Sequence, residues 1–186
     1  MARWMWIACL ALACTTGLAF GQEAGESVSN PTVVIKTSVG EITVELYADK
    51  APVTVENFLQ YVDDGHYDGT VFHRVIKGFM IQGGGFDTSM NQRDVRDAIK
   101  NEVGTLAMAR TSVVDSATAQ FFINTVNNSN LNFKSPDPRG FGYCVFGKVI
   151  DGMDAVKNIE SVSTATRGMY QNVPVETVSI ESVTRK

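Results

Sequence analysis

Histidine and cysteine are scarce in this chain: its 186 residues hold two histidines and three cysteines, alongside two tryptophans and five prolines. Cys9 and Cys14 lie close to the N-terminus, which leaves Cys144 as the one thiol in the body of the chain. No disulfide can form within that body, and its core must carry the fold. With His66 and His73 as the only imidazoles, a zinc cluster has too few ligands. No G-x-S-x-G marks a nucleophile elbow. "GGGF" (83–86) lacks both the Lys-Ser/Thr of a phosphate loop and the spacing of a dinucleotide fingerprint. Basic residues number 16 against 20 acidic, a net charge of −4. That excludes the broad basic surface a nucleic-acid partner needs. No cofactor, metal or nucleic acid is therefore expected. Beyond residue 25 no apolar run approaches the roughly 20 residues of a membrane-spanning helix.

The N-terminus has a different character. "MARWMWIACLALACTTGLAFGQ" sets Arg3 before an apolar run from Trp4 to about Ala13, and small residues follow. This is the layout of a secretory signal peptide. Ala19 and Gly21 suit cleavage before Gln22, and a site near Ala24 is an alternative. The expectation is a leader over 1–21, a polar lead-in over 22–31 and one domain over 32–186. The product would be exported, periplasmic or secreted, with no stable membrane insertion after processing. An uncleaved anchor is the competing reading, but the run is short for a span. A lipid on Cys14 is another, though "ALAC" has alanine where a lipid-attachment site usually has leucine.

Period-two patterns dominate the rest. "TVVIKTSVGEITVELY" alternates around Ser38-Val39-Gly40, a β-hairpin signature. Further strands are predicted at 71–76, 79–83, 104–109, 120–125 and 143–149, and "VPVETVSIESVT" closes the chain as a strand. "APVTVENFLQYVDDG" carries a helical stripe of Val55, Phe58, Leu59 and Val62, with Pro52 in the first turn and Gly65 as the stop. "DGMDAVKNIES" reads as a second helix with Asp151 as its N-cap. About eight strands and two helices, with glycine-rich turns, predict a mainly β closed barrel or sandwich whose ends the helices cover. Long irregular segments at 86–103, 110–119 and 126–141 are where function is expected on such a scaffold.

The usual chemistry is thin. Cys144, in the strand-like "YCVFGKV", reads as a small buried hydrophobe. His73 reads as a hydrogen-bonded structural histidine, and "NNS" (127–129) is a glycosylation sequon relevant only in a eukaryotic secretory pathway. What stands out is Arg74 among apolar residues in "VFHRVIKGFMIQGGGF", and the paired phenylalanines of "DSATAQFFINT". Taken one at a time, Arg74 would be a surface strand residue, and Met80, Phe122 and Leu131 plain core.

Those two stretches, together with "GTLAMART" and "FGYCVFGKVIDGMD", resemble the cyclophilins, which are peptidyl-prolyl cis-trans isomerases. The resemblance runs from about residue 32 to the C-terminus in four ordered motifs, and is strongest to the exported bacterial members. It implies a closed eight-stranded antiparallel β-barrel capped by two α-helices. It also implies isomerase activity without a cofactor, proline-containing polypeptides as partners, and a monomer. By resemblance Arg74 is the catalytic arginine, and Phe79, Met80 and Gln82 match the F-M-x-Q set. Ala109 matches the alanine that binds substrate backbone. Phe122 is the floor and Leu131 the wall of the proline pocket. Tyr143 stands where many eukaryotic members have histidine, and Asn130 where they have tryptophan. Since that tryptophan matters most for cyclosporin, weak inhibition is expected.

The chemistry suits these residue types. The prolyl amide has a rotation barrier of about 18–20 kcal/mol, and its isomers exchange over tens to hundreds of seconds. No covalent bond need break; the twisted amide must only be bound better than either planar form. Twisting leaves a lone pair on the prolyl nitrogen, to which a permanently charged guanidinium can donate. Phe79, Met80, Phe122 and Leu131 would hold the ring. Gln82 would bond the substrate backbone and steady Arg74, and Ala109 would offer its main chain. Strand alternation sets Met80 and Gln82 on one face and Ile81 on the other, so Phe79 must reach the site from the bend at Gly78. A proline-binding module without activity and a scaffold subunit are the competing functions; the first could lose Arg74 freely, and the second typically carries an added domain.

Overall fold

The computed structural model describes residues 29–92 and 105–186. The expected leader, most of the lead-in and the greater part of the 86–103 segment lie outside the described residues. The chain opens with the predicted hairpin, β1 (Thr32–Thr37) and β2 (Gly40–Leu46). Val33 faces Val44 and Ile35 faces Ile42 across it, and all four side chains are fully buried. The Thr37 hydroxyl donates to the Gly40 carbonyl at 2.7 Å and accepts from the Val39 N–H at 3.1 Å, closing the turn.

α1 (Pro52–Asp63) starts at the proline, where a missing N–H costs nothing. It buries Val55, Phe58, Leu59, Tyr61 and Val62 and ends at Gly65, whose φ of 65° a β-carbon would resist. Then follow β3 (Thr70–Val71), β4 (Arg74–Ile76), β5 (Met80–Gly83), β6 (Leu106–Met108), β7 (Phe121–Asn124) and β8 (Val145–Asp151). α2 (Met153–Glu160), β9 (Thr164–Arg167), β10 (Tyr170–Pro174) and β11 (Ser179–Arg185) complete the chain.

Among the described residues, nine strands form one antiparallel sheet in the order β3-β11-β1-β2-β8-β6-β7-β5-β4. The sheet curls strongly. Near its two ends the Val71 N–H reaches the Phe86 carbonyl at 2.9 Å, and Thr70 bridges Asp87. The closed eight-stranded barrel is thus approximated by a curled sheet whose seam is a few bonds and not a full ladder. Both helices insert into the interior cluster, α1 through Phe58 and Leu59, α2 through Val156 and Ile159.

Three expectations need correction. The strand at 71–76 is broken at Phe72–His73, because its two halves pair with different strands: Thr70–Val71 with β11 and Arg74–Ile76 with β5. Asp151 does not cap α2: it ends β8, and its carboxylate accepts from the adjacent Gly152 N–H at 2.9 Å. Gly152, in the left-handed region at φ 81°, takes the cap position. The last strand begins only at Ser179, and Val173-Pro174 belong instead to a separate two-stranded ribbon of β9 and β10.

Candidate active site

Adjacent residues of one strand go to different places here. On β7, Phe121 and Ile123 enter the interior cluster, while Phe122 joins a second, smaller cluster on the opposite face. β5 splits in the same way, with Ile81 inside and Met80 outside, and so do β6 (Leu106 and Met108 against Ala107) and β8 (Phe146 against Val145). This is the two-residue period of a strand, and it gives the sheet a second apolar surface. Ile76, Phe79, Ala109, Leu131 and Tyr143 pack around that surface.

The ladder sets the polar groups beside it. Arg74 on β4 pairs with Gln82 on β5, Gln82 with Phe122 on β7, Phe122 with Ala107 on β6, and Ala107 with Val145 on β8. One transverse row therefore runs from a guanidinium to the apolar floor. Arg74 Nη1 donates to Gln82 Oε1 at 3.3 Å, and Gln82 Nε2 donates to Gln120 Oε1 at 3.0 Å. The other guanidinium donors of Arg74 have no partner among the described residues. The structure gathers Arg74, Phe79, Met80, Gln82, Ala109, Phe122, Leu131 and Tyr143 around one groove of about 240 Å³, with Arg110 as a further wall. Asn130 is not in that lining; it is exposed on the 3-10 turn Ser129–Leu131 that delivers Leu131.

Each wall has its own support. Phe79 precedes β5 and is set by the turn at Gly78, whose φ is 72°. The Phe79 N–H donates to the Ile76 carbonyl at 3.1 Å, and the Phe79 carbonyl accepts from the Thr125 N–H at 3.1 Å and from Asn128 Nδ2 at 2.8 Å. Behind the turn the Gly78 N–H donates to Glu160 Oε1 at 2.8 Å. Lys157 Nζ joins Glu160 Oε2 at 3.0 Å and the Thr125 carbonyl at 2.8 Å. Burial alone would push the Glu160 carboxyl up. The Thr125 side chain, Lys157 and the Gly78 N–H outweigh it and hold the group below the usual carboxylate range.

On the far wall the Phe122 and Tyr143 rings meet edge to face at 5.4 Å. Arg110 lies over Tyr143, 4.9 Å from the ring centre. Ala109 gives its N–H to the Gln120 carbonyl at 2.8 Å, so only its carbonyl is free for an extended chain. The glycine run adds close approach. A β-carbon on Gly85 would stand 2.4 Å from Gln120 Cγ, within the side chain that steadies Gln82.

His73, next to Arg74, is buried against Phe86 at 4.6 Å between ring centres. Its Nδ1 has no hydrogen-bond partner among the described residues. Burial pushes its pKa down to about 4, with the Arg74 charge acting in the same sense and a backbone contact to Val71 opposing it. The ring stays neutral at neutral pH.

Alternation from Phe122 points to Gln120, a support the sequence reading missed. Arg110 adjoins a predicted residue but has no motif of its own. Glu160 lies 82 residues from Gly78, beyond any local signal.

An antiparallel β scaffold with a proline-sized apolar groove and one guanidinium at its edge defines a prolyl-peptide isomerase class of site. Residues 32–185 match the family of cyclophilin-type peptidyl-prolyl cis-trans isomerases, and the chain belongs to that family. It is 54% identical over 160 residues to peptidyl-prolyl cis-trans isomerase B of Escherichia coli (strain K12), covering 82% of this chain and 98% of the relative. Against peptidyl-prolyl cis-trans isomerase cyp18 of Streptomyces antibioticus it is 52% identical over 159 residues, covering 81% and 96%. Among solved structures, a cyclophilin-type isomerase of Cryptosporidium parvum superposes with a TM-score of 0.64 at 26% identity, over 84% of this chain and 98% of that one. The same protein has been crystallised in the presence of the dipeptide Ala-Pro. The chain is a peptidyl-prolyl cis-trans isomerase.

Proposed function

We propose that this isomerase acts on proline-containing segments of exported polypeptides, with Arg74 stabilising the twisted prolyl amide. The observation that carries the mechanism is the placement of Arg74: one donor bonds Gln82, the others have no partner among the described residues, and the apolar floor begins one register position beyond Gln82. A proline ring seated on Met80 and Phe122 between Phe79 and Leu131 brings its nitrogen to the polar edge. The planar amide has no lone pair there to receive a proton donor; the twisted one does. The guanidinium therefore favours the transition state over both ground states. An acceleration on the order of 10⁵ requires about 7 kcal/mol. One charge-assisted hydrogen bond supplies about 2–3 kcal/mol of it, and orientation and partial removal of water supply the rest. Gln82 has one amide proton beyond its bond to Gln120, available to the substrate backbone.

Export is supported by the N-terminal pattern of Arg3, an apolar run and small residues. Among the described residues no helix is long and apolar enough to cross a membrane.

The test is proline-limited peptide isomerisation and refolding with the wild type, Arg74→Ala and Arg74→Lys. Arg74→Ala should lower kcat/KM by about 30- to 150-fold, the equivalent of 2–3 kcal/mol. Arg74→Lys should recover only part, since a lysine lacks the planar fork. Full activity in Arg74→Ala would remove the arginine from the mechanism.

A further inference from the structure

The groove has a second guanidinium, which the isomerase chemistry leaves unused. Arg110 follows Ala109 and forms part of the groove wall. Its Nε donates to the Gly142 carbonyl at 2.8 Å, Nη1 to Thr111 at 2.9 Å and Nη2 to Pro138 at 3.2 Å, while its plane lies over Tyr143. Three carbonyls fix its position without neutralising it. Five N–H donors less these three leave two for a ligand.

No carboxylate pairs with Arg74 or Arg110 among the described residues. Among the described residues, neither the groove nor the adjoining pocket of about 100 Å³, which shares Phe122, Leu131 and Tyr143, has an acidic residue in its lining. This is a chain with 20 acidic residues against 16 basic. Its binding face thus opposes its net charge. Anchored, unpaired cations on such a surface attract anionic ligands and repel cationic ones.

We infer that Arg110 is a specificity-determining residue that selects proline segments with an acidic side chain flanking the proline. The inference rests on the reading that the client runs along Ala109. That residue's carbonyl is unbonded among the described residues, and an extended chain paired with it would pass directly under the neighbouring Arg110 side chain. The client's carboxylate would accept from the two remaining guanidinium protons. Lysine or arginine in its place would face two cations and, among the described residues, no anion.

The experiment compares proline peptides carrying Glu, Gln or Lys at each position flanking the proline, with the wild type, Arg110→Gln and Arg110→Lys. At one or more positions kcat/KM with the wild type should fall in the order Glu, Gln, Lys, by about ten-fold from first to last. The spread should shrink near 1 M salt, where the screening length is about 3 Å. Arg110→Gln should bring the Glu-to-Lys ratio close to one, whatever loss it causes for all peptides alike. Arg110→Lys, which keeps the charge, should retain most of the ratio. Equal kcat/KM for Glu and Lys peptides at every position with the wild type overturns the inference, even with full isomerase activity. So does an undiminished ratio in Arg110→Gln, or a ratio of one in Arg110→Lys. Absence of acceleration with every peptide would instead sink the assignment of the groove itself.

Discussion

The same sheet builds two apolar clusters, and they differ in what closes them. The interior cluster is sealed by both helices and holds Phe58, Phe121, Phe146 and Tyr67 with almost no exposure. Among the described residues the groove cluster holds only Met80, Ala107, Phe122 and Val145, and its rim of Phe79, Leu131 and Tyr143 is partly open. One face is finished by protein; the other is left for a proline ring. The neighbours Phe121 and Phe122 show the contrast within one dipeptide. Phe121 packs edge to face on Phe58 and Tyr67 at 5.7 and 5.6 Å, and Phe122 meets only Tyr143 in this manner.

That pair offers the largest way to break the comparison. Phe121→Ala should cost about 3–5 kcal/mol of stability, the range for deleting an aromatic from a closed core. Phe122→Ala should cost less, about 2 kcal/mol, because its cavity opens to water in the groove and does not stay empty. Its effect on kcat/KM should be the greater of the two once unfolded protein is accounted for. Urea unfolding and isomerisation kinetics on both variants decide the matter. Similar stability losses would mean that the second face is ordinary core.

A smaller effect separates the faces by pH. His73 lies under the groove edge beside Arg74, with its folded pKa depressed from 6.5 to about 4. Above pH 6.5 the imidazole is neutral in both folded and unfolded chains. Between 6.5 and 4 the unfolded chain takes up a proton that the folded chain refuses. Stability is therefore fully present above 6.5 and is lost as pH falls through that window, by at most about 3 kcal/mol. Urea unfolding between pH 7 and 4 should show this slope in the wild type and a shallower one in His73→Leu. Parallel curves would show that the histidine is not held neutral. Activity should stay nearly level from about pH 6 to 9, since the one imidazole next to Arg74 does not titrate there.

How far the sequence reaches follows from the same division. The hairpin, α1 and the opposed faces of Met80 and Ile81 were legible, because each is set by the local period of apolar residues. The break at Phe72–His73 was not, since "TVFHRVI" reads as one strand and only the fold sends Thr70–Val71 to β11 and Arg74–Ile76 to β5. The β9–β10 ribbon was invisible for the opposite reason: β9 is exposed at all four positions and has no apolar period. Seven of the eight groove residues lie in the four motifs, and Leu131 was matched by the same resemblance from outside them. Of the groups that hold them, Gln120 beneath Gln82 lies inside one motif, two residues before Phe122, whereas Asn128 and Glu160 around Phe79 come from elsewhere in the chain. Long-range hydrogen bonds leave no periodic trace, so these became visible only in three dimensions.

Glu160 gives the smallest and most discriminating effect. It belongs to α2, whose apolar side serves the interior, yet its carboxylate holds the turn that carries Phe79 on the groove face. Glu160→Gln keeps an oxygen for the Gly78 N–H but removes the charge that binds Lys157. It should cost about 1.5 kcal/mol, the lower end of the range for a hydrogen bond to a charged group. Lys157 would then grip the Thr125 carbonyl alone, and Thr125 in turn bonds the Phe79 carbonyl. A looser Phe79 weakens the hold on the proline ring in ground and transition states alike, so KM should rise a few-fold while kcat changes little. Glu160→Ala, which also strands the Gly78 N–H, should deepen the KM effect and cost about 2 kcal/mol. A loss of stability in both variants with KM untouched would confine Glu160 to the interior and leave the two faces of the sheet energetically separate.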